Sequence, residues 1–503
     1  MKILKTQTAV CLLAVMIVGG CIQNRKIADV PDDILSINID TAQSPKILSG
    51  ENNPLIDFRF CADPTSVEYN GRLYVYGTDD HQQYENAEKN TYEKIKQLVM
   101  ISTDDMVNWT YHGIINTGQI APFIVNSWAP SIIKRTLPDG KTEFFLYFSN
   151  SGCGVGVLKS NSPTGPWKSA LSQPLISVNT PSLGDCPNPF DPGAVIDNNN
   201  TGWLAFGAGI AKNGTDDMPH TGRIVKLGSD MISTASEIKE IPAPYLFEAS
   251  ELNFINNTYV YTYNTSWLER KKQQIGNQPA PTLCAMSYMT TKDPLNSDSW
   301  TYRGHYFQNP GDYVPPHTNN HTHLQKYKNQ WYLLYHSMYL QKYFNTDGGF
   351  RNMACEKIEV DEENIEIKPA QASRQGIRKQ LKNINPFEKV EAETVAATYK
   401  SNFKADEINI DNMFVCGDSL QCILIKGVDF TRKPREFYSR IKGNIKIDIR
   451  SDNPQGNLIC ALRCNKENLE NVSCSVISEI SGVHDLYIII DGKNYLFDSW
   501  NFK

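Results

Sequence analysis

The chain has 503 residues, of which 40% are apolar, 10% aromatic and 21% charged, with a formal net charge of -6. Such a length points to more than one domain or to one large all-β unit, and the composition excludes a disordered, collagen-like or polytopic membrane chain. The acidic balance argues against nucleic acid as a partner, more so once residues 1–20 leave: they hold Lys2 and Lys5 and no acid, so the charge goes from -6 to -8.

Lys2 and Lys5 precede an apolar run over residues 9–18. The run is too short to cross a bilayer and reads as a secretory signal over residues 1–20. Val18-Gly19-Gly20-Cys21 closes it, and this small-small-Cys ending resembles the lipobox of bacterial lipoproteins. The resemblance implies acylation of Cys21 and an exported chain, held only by lipid to the periplasmic or surface side of a bacterial envelope membrane. An ordinary cleavage site followed by a cysteine would still mean export. Residues 21–53, polar with several Pro and Ser, are expected to be a tether. Of twelve cysteines, Cys11 leaves with the signal and Cys21 would carry lipid, which leaves ten without Cys-x-x-Cys metal spacing. Cys416, Cys422, Cys460, Cys464 and Cys474 crowd near the C-terminus, an odd number, so at least one is expected to stay a thiol or to pair elsewhere.

From residue 54 to 370 the organisation is a repeat. Leu73-Tyr74-Val75-Tyr76, Phe144-Phe145-Leu146-Tyr147-Phe148, Trp203-Leu204-Ala205-Phe206, Tyr259-Val260-Tyr261-Thr262-Tyr263 and Trp331-Tyr332-Leu333-Leu334-Tyr335 are too short and too β-rich for helices. Ten to fifteen residues before each lies a second short segment: Ala62-Asp63-Pro64, Trp128-Ala129-Pro130, Asp191-Pro192, Phe247-Glu248-Ala249 and Asn320-His321. Five such units of roughly 55–75 residues predict a five-bladed β-propeller.

In a propeller the innermost strands run along the axis, so equivalent positions of different blades face one another. The ring would hold Asp63, Ala129, Asp191, Glu248 and His321. Three carboxylates in one funnel are destabilising unless they are used, and such crowding keeps one carboxyl protonated while another stays ionised. Each has a plainer reading. Asp-Pro is a common turn dipeptide, which suffices for Asp293-Pro294, and Glu251 competes with Glu248. His317, His321 and His323 lack a His-Glu-x-x-His helix or nearby cysteine, which argues against zinc. Gly152-Cys153-Gly154-Val155-Gly156 lacks dinucleotide-loop spacing and reads as a tight hairpin. The basic residues within 371–384 read as a solvated linker.

Ala62-Asp63-Pro64 with Tyr69-Asn70-Gly71-Arg72, Asp104-Asp105-Met106-Val107-Asn108-Trp109, Asn126-Ser127-Trp128-Ala129-Pro130, Ser162-Pro163-Thr164-Gly165-Pro166-Trp167, Phe190-Asp191-Pro192, Ala243-Pro244-Tyr245-Leu246-Phe247-Glu248 and Asn319-Asn320-His321 together resemble glycoside hydrolase family 43. The likeness is strongest to its arabinoxylan arabinofuranohydrolases. It implies an inverting hydrolase of arabinose- and xylose-containing polysaccharides, with Asp63 as general base, Glu248 as general acid, and Asp191 orienting the acid and raising its pKa. Inversion calls for roughly 6.5–9.5 Å between acid and base. The resemblance also places Trp128 as an apolar platform and Arg351 as a hydroxyl-binding cation, with core packing and a surface ion pair as their alternatives. His321 matches a histidine that faces an axial ion, usually Ca2+, whose preference for 6–8 oxygens would leave waters to fill most of the shell. Thr322 stands where the family commonly has a second histidine.

Residues 385–503 turn to short alternating strands. Val390-Glu391-Ala392-Glu393-Thr394 and Phe497-Asp498-Ser499-Trp500-Asn501-Phe502 resemble the β-sandwich (jelly roll) of family 6 carbohydrate-binding modules. Where those modules carry a Gly-Asp-Trp type segment before an Asp-Phe pair, this chain has Leu420-Gln421-Cys422 before Asp429-Phe430. Bracing the propeller is therefore expected of this domain ahead of glycan binding. The reading is a monomeric, all-β arabinofuranosidase without organic cofactor. β-Xylosidase and arabinanase activity remain open, since residues 81–96 and 266–281 shape the pocket. So does a glycan-binding lipoprotein without turnover, against which the three acids argue.

Overall fold

The computed structural model describes residues 30–405 and 413–503. The expected signal and Cys21 lie outside the described residues. Among these, no helix is long and apolar enough to cross a membrane.

Five antiparallel sheets follow one another along the chain, and their inner strands are Ala62–Tyr69, Trp128–Thr136, Gly193–Ile196, Leu246–Ile255 and Thr322–Tyr327. The five predicted aromatic segments lie in the second strands, Arg72–Thr78, Thr142–Ser149, Gly202–Phe206, Thr258–Thr265 and Gln330–Ser337. These strands read as nearly continuous apolar runs because both faces are buried. Phe144, Leu146 and Phe148 pack toward the first blade, and Phe145 and Tyr147 toward the third. Trp203 and Ala205 face the fourth blade while Leu204 and Phe206 face the second. Leu333 and Tyr335 meet the fourth blade, and Tyr332 and Leu334 meet the first, so the ring closes.

The fifth blade has three strands of its own, and residues 53–61 lie beside the outermost, Asn352–Ile358. Leu55 N–H donates to the Met353 carbonyl at 2.9 Å, and Cys61 N–H to Arg351 at 2.9 Å. The N-terminal stretch thus closes the ring against the last blade.

The C-terminal domain is a single curled eight-stranded sheet whose concave side encloses a core of Ile445, Ile447, Ile449, Ile488, Ile490, Phe497 and Trp500. The pairing of its long strands Glu436–Ser451 and Gly482–Phe502 shifts register at Gly443, where φ is 102° and a Cβ would lie 2.8 Å from Tyr495 Cα. Only glycine fits there.

Two expected boundaries need correction. Residues 35–53 are not a tether: Leu35, Ile37, Ile39 and Ile47 are buried with Tyr399, Leu424, Tyr487 and Ile489 of the C-terminal domain, because enough apolar side chains recur here to offset the cost of ordering the chain. Nor is 371–384 a solvated linker throughout. Ala372 and Ile377 are buried, Leu381 N–H donates to the Asp105 carbonyl at 3.0 Å, and Ile384 bridges to Val428. Thr394–Val395 even adds a strand to the first blade, opposite Thr110 and Trp109. None of the ten described cysteines is in a disulfide.

Lys46 fastens this junction. It is 1% exposed, and its ammonium donates to the carbonyls of Pro54 at 2.6 Å and Leu55 at 3.1 Å. Burial drags its pKa down to about 7, against the pull of Asp57. Asp57 in turn accepts from Thr398 N–H at 3.0 Å and Thr398 Oγ1 at 2.8 Å. Lys46→Met strands two buried carbonyls and removes the charge that offsets Asp57, and should cost about 2–4 kcal/mol in denaturant unfolding. A loss below about 1 kcal/mol would show that the lysine is not what holds this corner.

Candidate active site

The inner strands open with a shared distortion. Asp63, Ala129, Asp191 and Ala249 have φ of 49°, 40°, 54° and 62°, a left-handed backbone that non-glycine residues hold only when their surroundings enforce it. The strand ladders slip at the same point, between Ala62 and Thr65, Trp128 and Ser131, and Glu248 and Glu251. Asp63 and Asp191 are therefore equivalent, as expected, but the matching residue of the fourth blade is Ala249. Glu248 sits one residue earlier and still reaches the common pocket.

Hydroxyls at the ends of the second strands pin these turns. Thr78 Oγ1 donates to Asp63 Oδ2 at 2.7 Å and accepts from Ala129 N–H at 2.8 Å. Ser149 Oγ donates to Asp191 Oδ1 at 3.0 Å and accepts Asp191 N–H at 2.9 Å. Ala249 N–H donates to Asp191 Oδ2 at 2.9 Å, so the fourth blade holds the carboxylate of the third.

The pocket they surround is about 470 Å³ including the solvent at its mouth. It is lined by Asp63, Tyr92, Trp128, Ala129, Phe190, Asp191, Glu248, Asn319, His321 and Arg351. All six pocket residues predicted from sequence thus meet in one place. Glu251 does not: it is buried deeper along the axis, 3.5 Å from His323. His317 lies outside, 2.7 Å from Asp312, so the three histidines never converge. The glycine run at 152–156 forms the expected tight turn, leading into Gly154–Ser160.

Arg351 is 3% exposed rather than a surface cation. Its Nη1 donates to Asp63 Oδ1 at 2.9 Å, and its Nε and Nη2 grip Asp80 at 2.9 and 2.8 Å. Trp128 is partly exposed, with its indole N–H fixed to the Tyr92 carbonyl at 3.1 Å. That leaves a ring at the pocket wall, as a platform requires. Three contributors went unread in the sequence. Asp80 follows a strand beside Asp79, and nothing local tells the two apart. His336 is one residue past a predicted strand; its Nε2 faces the Asn319 carbonyl at 2.8 Å. A carbonyl only accepts, so Nε2 carries the proton and Nδ1 accepts Asp63 N–H at 3.2 Å. Asn319, quoted only as part of a motif, donates to Glu248 Oε1 at 3.0 Å.

The carboxyls differ in proton affinity. Burial is the largest influence on Asp63 and pushes it up, but the Arg351 guanidinium outweighs it and holds the group well below the usual carboxylate range. Asp191 is driven well above that range by burial, then by the charges of Glu248 and Asp63. Glu248 is raised by burial, lowered by the Asn319 amide and raised again by Asp63. Asp191 and Glu248 titrate as a pair. The hydrogen bonds donated to each, two to Asp191 and one to Glu248, pull against burial, and the pair shares a proton. His321, brought down by burial to about 4, is neutral beside Asp63 at 3.6 Å.

A calcium ion at His321 would find one imidazole and a carboxylate already engaged by Arg351 and Thr78. Among the described residues no group of three or more His, Cys, Asp or Glu converges to hold a metal. These protein donors do not fit the oxygen shell calcium prefers, and no chemistry below passes through a metal.

An ionised carboxylate facing a proton-sharing carboxyl pair across a sugar-sized pocket is the equipment of a glycosidase. The chain belongs to glycosyl hydrolase family 43, whose model matches residues 51–364. It is 33% identical over 503 residues to an arabinoxylan arabinofuranohydrolase of Paenibacillus polymyxa, covering 93% of this chain and 76% of that protein. It is 31% identical over 538 residues to an arabinoxylan arabinofuranohydrolase of Bacillus subtilis (strain 168), covering 99% of each. The crystal structure of a family 43 arabinoxylan arabinofuranohydrolase from Bacillus subtilis in complex with cellotetraose matches with a TM-score of 0.84 at 31% identity, over 92% of this chain and all of that one.

The coupling of Asp191 to Glu248 is mutual. Asp191→Asn removes one charge, so Glu248 should lose its proton at lower pH, and the alkaline limb of kcat/KM should move in that direction. An unmoved limb would mean the two groups titrate independently.

Proposed function

We propose that the protein is an exported, inverting glycosidase that removes α-L-arabinofuranosyl units from arabinoxylan or a related plant cell-wall polysaccharide. One observation carries the reading: Asp63, Asp191 and Glu248, from three blades, line one pocket in unequal states of protonation. The near full-length likeness to arabinoxylan arabinofuranohydrolases supports the substrate.

In this reading the protonated Glu248 gives its proton to the departing glycosidic oxygen as the bond to the anomeric carbon breaks. Asp63, ionised, takes a proton from the water whose oxygen attacks that carbon from the opposite face. Asp191 stays charged, keeps the proton on Glu248 by repulsion and is fixed by Ser149 and Ala249. Trp128 offers its ring to the sugar. Arg351 has most of its donors engaged by Asp80 and Asp63, so its main part is to hold the base.

Release from chromogenic arabinofuranoside and xylopyranoside substrates, then from arabinoxylan and arabinan, tests the specificity. The arabinofuranoside and arabinoxylan should be preferred, with NMR showing the inverted anomer first. Preference for xylopyranoside or arabinan moves the enzyme elsewhere in its family, and no turnover leaves a glycan-binding protein. Glu248→Gln should lose roughly 10²–10⁴-fold in kcat on the natural polysaccharide while still binding it; retained hydrolysis would remove Glu248 as the acid.

The N-terminal residues support export with a lipid on Cys21. Cys21→Ser should shift the protein from the membrane to the soluble fraction and abolish labelling by radioactive fatty acid. A wild-type protein that takes up no label would leave only the ordinary signal.

A further inference from the structure

We propose that Asp80 is a positioning residue of this site: through Arg351 it fixes how the carboxylate of Asp63 is presented to water. The inference rests on Asp63 being the base.

Asp80 is fully buried at the start of the short helix Asp80–Tyr84, immediately after the strand that supplies Thr78. Its Oδ2 accepts from Arg351 N–H at 3.0 Å, Arg351 Nε at 2.9 Å and Asn90 Nδ2 at 2.7 Å, and its Oδ1 accepts from Arg351 Nη2 at 2.8 Å. A guanidinium is planar and its donors are fixed relative to one another. With the Nε/Nη2 edge taken by Asp80, Nη1 is left as the donor toward the pocket, and it meets Asp63 Oδ1 at 2.9 Å. The Tyr92 ring covers the guanidinium at 4.9 Å and keeps it in that plane.

The consequence concerns what Arg351 is prevented from doing. An arginine with both edges free closes on a carboxylate in a two-pronged pair that occupies both oxygens. Here Asp63 receives a single prong on Oδ1, and Thr78 takes one lone pair of Oδ2. His336 Nδ1 also stands 3.2 Å from Oδ1, so it is Oδ2 that keeps a lone pair for the attacking water. Asp79 shows the contrast: it holds Arg59 in a two-pronged pair at 2.9 and 2.6 Å and has no part in the pocket.

A plainer role, neutralising a buried arginine, would affect stability alone, so the test separates the two. In the full chain, Asp80→Asn should lower kcat on an arabinofuranoside by roughly 10–100-fold, the scale of a displaced catalytic group, with KM within about threefold. Asp80→Glu keeps the charge and the fold but moves the guanidinium, and should show a smaller loss of the same kind. In an Arg351→Gln background, Asp80→Asn should add less than about twofold, since the residue through which it acts is gone.

Wild-type kcat in both Asp80 variants overturns the proposal. So does a loss that multiplies in full in the Arg351→Gln background, or one that tracks only the folded fraction. Wild-type protein and Glu248→Gln run alongside: a wild type without turnover sinks the hydrolase reading and this inference together. Turnover that Glu248→Gln abolishes and Asp80→Asn spares sinks only the inference.

Discussion

Each blade buries both faces, and that constraint governs the molecule. A sheet apolar on both sides cannot be stable alone; it needs a neighbour on each side, and five such sheets satisfy one another only by closing a ring. The alternation within Thr142–Ser149, with Phe144, Leu146 and Phe148 to one side and Phe145 and Tyr147 to the other, is repeated in every second strand. Closure brings the starts of the inner strands to the axis. Asp63, Asp191 and Glu248 meet there because the aromatic faces must be covered, with no contact among the acids to draw them together.

The axis then becomes a place where charge is expensive. Asp63 is 4% exposed and would be costly to bury as an anion were it not for Arg351 and the Thr78 hydroxyl. The arginine is itself buried and is balanced by Asp80. The remaining acids have no cation of their own, so burial and repulsion leave them sharing a proton. The single arginine beside Asp63 sets that carboxyl apart from the other two in proton affinity.

The two domains are less separable than a catalytic unit with an appended module. Thr394–Val395 extends the first blade, residues 35–47 pack on the C-terminal sheet, and Lys46 ties that segment to the strand-like stretch closing the fifth blade. Ring closure depends on residues 53–61, so whatever steadies their approach steadies the active site. The C-terminal sheet thereby braces the propeller, whatever it binds.

Local pattern was enough to give the blades and to place Asp63, Asp191, Glu248 and His321 at or just before the starts of their inner strands, because aromatic runs with two buried faces and a turn before each leave a periodic trace. Glu248 was legible as a pocket acid but not its offset by one residue, since the left-handed turn that makes Ala249 the equivalent of Asp63 depends on how neighbouring blades hydrogen-bond. Asp79 and Asp80 are indistinguishable as adjacent letters. Only the packed ring puts Arg59 against one and Arg351 against the other, across 271 positions of sequence in the second case. The same limit made residues 35–53 look like a tether: Leu35, Ile37, Ile39 and Ile47 are sparse along the chain, and their partners, Val107 apart, lie beyond residue 395. Sequence alone determined which acidic side chains recur at the starts of the blades, because residue type and repeat position can be read along the chain. Which charge sits beside which, and hence which carboxyl keeps a proton, was decided by long-range packing, because electrostatic energy depends on distance through space and on exclusion of water.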